Sequence, residues 1–325
     1  MRGHSRGASG ALQLNIHFWG VRGSIPTPLS SQQIRTKLLA ALRRIEPKDI
    51  ESDEARERFV SSLPWWIQGT SGGNTPCVEV TLGDGGRLVF DAGSGMRVMG
   101  KLSAPPADRR YHLFISHFHW DHIQGLPFFD PAYNPEVTFD VYSPYPEMRD
   151  YLAAQMSAPY YPVDFSVIER NFSFHVIEPG QALRIGGAVV SCARMSHPGG
   201  SYSYSVAEDG KKFVYATDIE LGQKDFVRTE ERSAVFEGAD LMLIDSQYTV
   251  EEALRKVNWG HSAFCYAIDF ADAWKIKKMY MFHHEPTYDD RKLDAILESA
   301  RLYADYVSKE NLVIDVACEG AAFDL

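Results

Sequence analysis

The stretch HFHWDH, residues 117–122, places three histidines and one aspartate within six positions of the chain. It directly follows Tyr111–Ser116, a compact apolar run that predicts a buried strand leading into a loop. Imidazole and carboxylate groups are the ligands that suit Zn²⁺, Mn²⁺ or Fe²⁺ in proteins. Because four such groups crowd at one strand end, the stretch predicts a metal site rather than a histidine-rich surface loop.

Metal-binding side chains recur where other predicted strands end. His197 follows a strand-like run and precedes a Pro-Gly-Gly turn, and Asp218 ends the run FVYATD. His283 and His284 end the run KMYMFHH. Four separate strand ends that carry such groups are better explained by convergence on one site than by accident. We therefore expect residues far apart in the sequence to meet around metal ions.

The composition is that of an ordinary globular protein. Of the 325 residues, 45% are hydrophobic and 23% are charged, which excludes wholesale disorder. No run approaches the roughly 18 consecutive apolar residues of a membrane helix, so no membrane span is expected. Residues 1–12 are small and polar and lack the apolar segment of a secretory signal, so we expect a flexible tail.

The charge and the cysteines limit the partners and the location. Thirty-three Lys and Arg residues against 43 Asp and Glu residues give a net charge of −10. This balance disfavours a nucleic-acid polymer as partner, because such binding depends on Lys and Arg at phosphates, but it leaves room for a small anion. The four cysteines are far apart and form no CxxC pair, which argues against disulfides and a thiolate zinc site. The default location is a reducing cytoplasm.

Hydrophobic periodicity predicts strands and helices in both halves of the chain. The predicted strands are 12–19, 77–82, 87–91, 111–116, 137–143, 182–194, 212–216, 241–244, 278–282 and 312–316, and the predicted helices are 32–45, 53–63, 147–157, 262–273 and 289–308. Strand clusters with helices in each half suggest an α+β fold in which two βα halves pack as one four-layer αββα unit. No linker divides residues 13–325, so we expect a single domain.

Two segments are predicted to be additions that lie over the site. One is a helical insertion at about 31–63, and the other is the aromatic, weakly charged segment at about 145–170. In the second segment, Tyr160, Tyr161 and Phe165 are candidates to line a pocket for a flat base, although aromatic residues more often simply pack together.

The order of the metal-binding groups resembles that of the metallo-β-lactamase superfamily, in particular its phosphodiesterase branch with RNase Z and the phosphoribosyl cyclic phosphodiesterases. The resemblance spans about residues 13–325 and rests on HxHxDH, the later His, Asp and His, and these further stretches: FWGVRGSIPTP (18–28), GGNTPCVEV (72–80), FDAGSGMR (90–97), SHFHWDHIQGLPFF (116–129) and GHS (260–262). It implies a four-layer αββα sandwich of two mixed sheets flanked by helices, and two divalent metal ions, Zn²⁺ first, with Mn²⁺ or Fe²⁺ as alternatives. Homodimers are common among such proteins, so a homodimer is an expectation.

The resemblance also implies a ligand set. One metal would be held by His117, His119 and His197. The second would be held by Asp121, His122 and a late histidine, with Asp218 bridging the two ions.

The late ligand remains ambiguous. Alignment with the family's strand-Thr-His pattern favours His283, although Phe282 stands where the Thr would be. His284 would then face the substrate or support a ligand. Asp121 would orient the attacking water while it binds metal, and Asp91 is a candidate to hold a ligating histidine in place.

The GHS motif favours phosphodiester hydrolysis. In RNase Z-like proteins this motif supplies a histidine to the scissile phosphate, which implies that His261 acts as general acid or stabilises charge. Ser262 is predicted to cap the following helix beside the substrate. We expect a small substrate such as a cyclic nucleotide or cyclic phosphate. The alternatives are an acyl hydrolase of lactones, thioesters or lactams, a tRNA endonuclease, which the absence of a Lys-rich arm disfavours, and a metal-bound sensing module without catalysis.

Overall fold

The computed structural model describes residues 14–308 and 311–325, and the predicted tail at 1–12 lies outside the described residues. The strands are β1 Asn15–Gly20, β2 Cys77–Thr81, β3 Arg87–Phe90, β4 Arg110–Phe114, β5 Thr138–Ser143, β6 Phe172–Val176, β7 Leu183–Ile185, β8 Ala188–Met195, β9 Ser201–Glu208, β10 Lys211–Ala216, β11 Leu241–Asp245, β12 Lys278–Phe282, β13 Val313–Val316 and β14 Ala322–Asp324.

The α-helices are α1 Ser31–Leu42, α2 Asp53–Ser62, α3 Trp65–Gln68, α4 Gly95–Leu102, α5 Trp120–Ile123, α6 Met148–Gln155, α7 Ser166–Glu169, α8 Glu230–Phe236, α9 Val250–Arg255, α10 Phe264–Ala273 and α11 Asp290–Val307. Short 3₁₀ helices lie at Pro47–Ile50, Leu126–Phe128, Asp130–Tyr133 and Gln223–Phe226. No helix in the described ranges is long and apolar enough to cross a bilayer.

The strands form two mixed sheets of seven strands each. The first has the order β14-β1-β2-β3-β4-β5-β6 and the second has the order β13-β12-β11-β10-β9-β8-β7. Strands β3 to β6 are parallel in the first sheet, and β10 to β13 are parallel in the second. The prediction of two mixed sheets in an αββα arrangement is confirmed.

Alternating side chains place each sheet between two apolar layers. In β3, Leu88 and Phe90 lie in the core between the sheets, whereas Val89 faces the core beneath the helices of the first half. In β10, Phe213 and Tyr215 face the inter-sheet core while Val214 faces the helices of the second half. Successive residues of a strand point to opposite faces, so strands buried on both faces are apolar throughout. This pattern produces the four layers.

Some elements were missed because their composition resembles that of loops. Strand β9 reads SYSYSVAE, and its Ser201, Ser203 and Ser205 are buried. Serine favours turns in isolated sequence, but here the small side chains fit against neighbouring strands on both sides. Helices α4 and α8 are short and were also not predicted.

The fold brings the ends of several strands to one place. Because β8 and β10 are both antiparallel to β9, β8 runs in the same direction as β10 to β12, and all four end at the same edge. Just after three strand ends, Asp91, Asp218 and His283 adopt left-handed backbone conformations with φ of 58°, 51° and 59°. Non-glycine residues rarely adopt this conformation, and such residues concentrate at functional sites.

Phe90 ties the two sheets together, and its truncation should destabilise the protein. Its ring lies 5.3 Å from that of Phe114 in its own sheet and 5.5 Å from that of Tyr215 in the facing sheet. Phe90→Ala is expected to lower the free energy of unfolding by about 3–5 kcal/mol, because it leaves a cavity. Tyr306→Ala, at a ring that is 89% exposed, should change it by less than about 0.5 kcal/mol. Urea denaturation followed by circular dichroism measures both, and equal losses would contradict this role of Phe90.

Candidate metal centre

Two groups of metal-binding side chains meet at the strand ends. In the first, ligand atoms of His117, His119, His197 and Asp218 all lie within 4.8 Å of one another. In the second, those of Asp121, His122 and His283 do the same. All seven predicted metal ligands therefore come together, although they derive from distant parts of the chain.

The carboxylate of Asp218 lies between the two groups. Its Oδ2 is 3.6 Å from Nε2 of His117 and 3.7 Å from Nε2 of His197. Its Oδ1 is 3.1 Å from Nε2 of both His122 and His283. Each oxygen thus faces a different group, which is the geometry of a carboxylate that bridges two cations.

The chemistry of the donors fits bound metal. Nε2 of His117 and Nε2 of His122 are buried, and neither has a hydrogen-bond partner among the described residues. Buried polar atoms are normally paired, so unpaired nitrogens directed into a cluster of donors are what a metal site leaves behind. Burial lowers the pKa of His117, His119 and His197, which keeps these rings in the neutral form that binds metal.

Hydrogen bonds on the far side of the rings set their orientation. Nδ1 of His122 donates to Oδ2 of Asp91 over 2.7 Å. Asp91 also accepts from the hydroxyls of Ser116 and Tyr215 and from the backbone N–H of Ser116, each at 2.7 Å. Nδ1 of His117 contacts the Ser116 hydroxyl at 3.1 Å. Asp91 thus holds His122, one of the predicted ligands, and a donating Nδ1 leaves the Nε2 lone pair of that ring free for metal.

His261 stands beside the two groups without joining either. Its ring stacks on that of His283, with centroids 4.9 Å apart, and its Nδ1 donates to Oδ2 of Asp245 over 2.7 Å. Burial alone would lower the pKa of His261, but the Asp245 carboxylate outweighs burial and raises the pKa to about 9.

Asp245 was not identified from the sequence. It ends the apolar strand LMLID, one residue beyond the predicted strand 241–244, and only its place beside Asp218 at the same sheet edge could have indicated a role. Asp218, Asp245, His261 and His283 form a further group that could hold a metal. However, Asp245 also accepts from the backbone N–H groups of Ile219, Gln247 and Ser262. Its oxygens are therefore already occupied by hydrogen-bond donors.

Glu220 was also missed, and it orders the loop that precedes His261. Its carboxylate accepts from the backbone N–H of Asn258 at 2.7 Å and of Gly260 at 2.8 Å. The Gly260 carbonyl in turn accepts from Nδ1 of His197. A Cβ at Gly260, where φ is +92°, would lie 2.3 Å from that ring nitrogen, so the loop requires glycine there. One turn thus positions both His197 and His261.

The structure does not bring the side chains of Ser262 and His284 to the site, contrary to the expectation that they contact substrate. The Ser262 side chain is buried, donates to the Ile219 carbonyl and accepts from the Leu221 N–H. Helix α10 begins at Phe264, with Ala263 rather than Ser262 at its N-cap. His284 is also buried, and its Nε2 donates to the carbonyl of Ala317. Neither side chain faces the site. Of the two late histidines, His283 is the one placed to bind metal, because it lies against Asp121 and Asp218.

Two adjoining cavities open at the donors. The smaller, of about 430 Å³, is lined by Ser24, Asp121, Asp218, His261 and His283 together with residues 118–120. The larger, of about 830 Å³, shares residues 118–120, and its other walls include three tyrosines, two glutamines and the turn 198–200.

The two predicted additions differ in their relation to these cavities. The segment 145–170 contributes Tyr145, Tyr151 and Tyr160 to the wall of the larger cavity, whereas residues 31–63 line neither cavity. Of the three aromatic residues expected to form a pocket, only Tyr160 lines it. Tyr161 donates to the Pro127 carbonyl, and Phe165 is buried in the core. Closure of either segment as a lid stays a prediction.

Comparison with known proteins agrees with the fold and the site. The family described as "Beta-lactamase superfamily domain" matches residues 86–284, so this chain belongs to that superfamily. It is a metallo-β-lactamase-fold hydrolase with a His/Asp metal site.

Its similar proteins are distant. Ribonuclease Z of Crocosphaera subtropica is 23% identical over 66% of this chain and 82% of its own. The structure of unliganded yeast PDE1 matches with a TM-score of 0.65 at 14% identity, over 97% of this chain and all of that one. A diphosphatase from the PhnP family matches with a TM-score of 0.61 at 16% identity, over 96% of this chain and 98% of that one. The predicted resemblance to the metallo-β-lactamase superfamily and to RNase Z is confirmed, and a PhnP-family protein is among the distant relatives.

Removing the charge of Asp91 should weaken metal binding. In Asp91→Asn, asparagine has the size of aspartate and also tolerates the left-handed backbone. Its amide N–H₂, however, would face groups that are themselves hydrogen-bond donors. We expect metal affinity to fall about 10- to 100-fold. Asp209→Asn, in an exposed turn with φ of 47°, is the matched control and should leave affinity unchanged. Competition with a chromogenic chelator measures both variants, and wild-type affinity in Asp91→Asn would contradict the role of this network.

Proposed function

We propose that this protein is a phosphodiesterase with two metal ions that hydrolyses small phosphodiesters, with cyclic nucleotides or cyclic phosphates as the favoured substrates. The observation that carries the proposal is the position of His261. It lies at the mouth of the metal centre and is held by Asp245, while the seven metal-binding groups are provided by other residues. A site that only bound metal would have no need of an eighth, separately oriented donor.

We assign the two ions to two groups of ligands. His117, His119 and His197 would hold one, Asp121, His122 and His283 the other, and Asp218 would bridge them. Zn²⁺ is proposed first because imidazole and carboxylate ligands suit it. Bound cations would polarise water and neutralise the charge that develops on phosphoryl oxygens.

The side chains supply the proton transfers. Asp121 lines the smaller cavity, where its Oδ2 accepts from the Ser24 N–H over 2.8 Å, and we assign to it the orientation of the attacking water. The water oxygen forms a new bond to phosphorus, one P–O ester bond breaks, and Asp121 accepts the proton that the water gives up. His261 donates a proton to the departing oxygen. The product is a phosphomonoester with a free hydroxyl group, and solvent restores both protonation states.

The lining favours small substrates over tRNA. Within 14–308 and 311–325, no Lys or Arg lines either cavity, and the whole chain carries a net charge of −10. Binding of a nucleic-acid polymer draws most of its strength from such cations. The similarity to ribonuclease Z supports phosphodiester chemistry at this site. The absence of a polymeric partner and the homodimer remain predictions.

The role of His261 can be tested with two leaving groups. His261→Ala is expected to lower kcat/KM by about 10²- to 10⁴-fold on adenosine 3′,5′-cyclic phosphate, whose alkoxide must be protonated as it leaves. The loss on bis-p-nitrophenyl phosphate should be much smaller, because p-nitrophenolate leaves without a proton. His175→Ala, at an exposed histidine on β6, is the matched control and should behave as wild type.

Elemental analysis of the same samples separates the rival explanations. His261→Ala should keep about two ions per chain. Loss of one ion would make His261 a ligand instead. Full activity of His261→Ala on both diesters would contradict the role of His261 as proton donor. Hydrolysis of a lactone or thioester but of neither diester by the wild-type protein would favour the acyl-hydrolase alternative.

A further inference from the structure

The larger cavity is continuous with the metal centre. His117 and His119 form part of its wall, and Phe118 and Trp120 line both cavities. Its volume of about 830 Å³ lies within the range of roughly 300–1,000 Å³ that small-molecule sites occupy. A substrate whose phosphorus lies at the metal centre would therefore extend its substituent into this cavity.

One wall is a packed aromatic cluster. The Phe118 ring contacts Tyr145 edge-on with centroids 5.6 Å apart, and it contacts Tyr151 at 5.1 Å. The Tyr145 hydroxyl lies within hydrogen-bond distance of the carbonyls of Gly199 and Gly200, at 3.0 and 2.9 Å. These contacts join segment 145–170 to the turn that follows His197. The wall therefore exists before any ligand binds, which reduces the entropic cost of binding.

Two large aromatic side chains are left open to this cavity. Trp120 and Tyr160 line the cavity, and each is 82% exposed. Trp120 lies between two metal-binding residues in the sequence, so its ring cannot move far from the metal centre. Exposed ring faces beside a reactive centre offer stacking surfaces to a planar group.

The lining carries no Lys, Arg, Asp or Glu within the described part of the chain. Apart from the imidazoles of His117 and His119 at the metal centre, its polar groups are hydroxyls, backbone carbonyls and the amides of Gln124 and Gln155. A charged substituent would lose hydration there without gaining a partner, whereas an uncharged ring would not. The charge of the phosphate is instead matched at the metal centre. The smaller cavity thus suits the anionic part of a substrate, and the larger cavity suits an uncharged planar part.

We propose that the larger cavity binds the uncharged planar ring of the substrate, so that the protein prefers nucleoside phosphodiesters to phosphodiesters of simple sugars or glycerol. This inference rests on the proposed phosphodiesterase function. For a nucleoside cyclic phosphate, the water oxygen bonds to phosphorus and one P–O ester bond opens, and the freed ribose oxygen takes the proton. The nucleoside monophosphate that results keeps its base in the cavity until it leaves.

The test compares two substrates with the same reacting group. Adenosine 2′,3′-cyclic phosphate and glycerol 1,2-cyclic phosphate both contain a five-membered cyclic phosphate, and only the first carries a base. Hydrolysis by the metal-loaded protein is followed by ³¹P NMR. We expect kcat/KM to favour the adenosine substrate by about 5- to 150-fold, which is the range that stacking of one base on an aromatic side chain gives.

Trp120→Ala and Tyr160→Ala assign this preference to the cavity. Each is expected to reduce the ratio of the two kcat/KM values by at least about fivefold. Tyr306→Ala, at a ring 89% exposed on α11 and outside both cavities, should keep the wild-type ratio. Both cavity side chains are largely exposed, so the variants are expected to fold, which circular dichroism and metal content verify. Calorimetric titration with adenosine 2′-monophosphate adds a readout independent of turnover, and Trp120→Ala should weaken its binding.

The outcomes separate the two proposals. Two outcomes would overturn the proposal that the larger cavity binds the ring of the substrate: equal kcat/KM values for both substrates, or a preference that survives in both cavity variants. Neither outcome would contradict the proposed phosphodiesterase function. Hydrolysis of neither substrate at full metal occupancy would overturn the proposed function itself.

Discussion

The carboxylate of Asp218 presents one oxygen to each of two groups of metal-binding side chains, and the rest of the site is arranged around it. Asp218 is buried among imidazoles. Burial alone would raise its pKa, but His283, His122 and His117 outweigh burial and hold the pKa well below the usual range. A buried anion of this kind is costly unless cations or donors surround it. Cations bound on both sides of the carboxylate would supply the positive charge that such a buried anion calls for.

The fold provides the means to assemble this arrangement. Donors emerge from the ends of β4, β8, β10 and β12, so two sheets must pack face to face before the two groups can meet. Rings in the inter-sheet core, among them those of Phe90 and Tyr215, fix that packing. The same Tyr215 donates its hydroxyl to Asp91, which orients His122. The core that stabilises the protein is thus directly connected to the groups that orient the ligands.

The sequence predicted the layers, and also the side chains that meet at the strand ends, because both depend on local patterns. The apolar runs of the strands and the group HFHWDH are visible without any knowledge of tertiary structure. The supporting residues were harder to predict because their roles depend on what the fold places opposite them. Asp245 and Glu220 look like ordinary turn or loop residues until His261 and Gly260 lie beside them. Conversely, Ser262 and His284 are adjacent in sequence to His261 and His283, yet their side chains turn into the core. Neighbours in a sharply turning loop point in different directions, which sequence proximity alone does not reveal.

Anomalous diffraction from crystals of the metal-loaded protein tests the central claim most directly. The account predicts two peaks on opposite sides of the Asp218 carboxylate, each about 2.0–2.2 Å from one of its oxygens. One peak should be bound by His117, His119 and His197, and the other by Asp121, His122 and His283. A single peak, or a second ion held by Asp245 and His261 in place of Asp121 and His122, would contradict it.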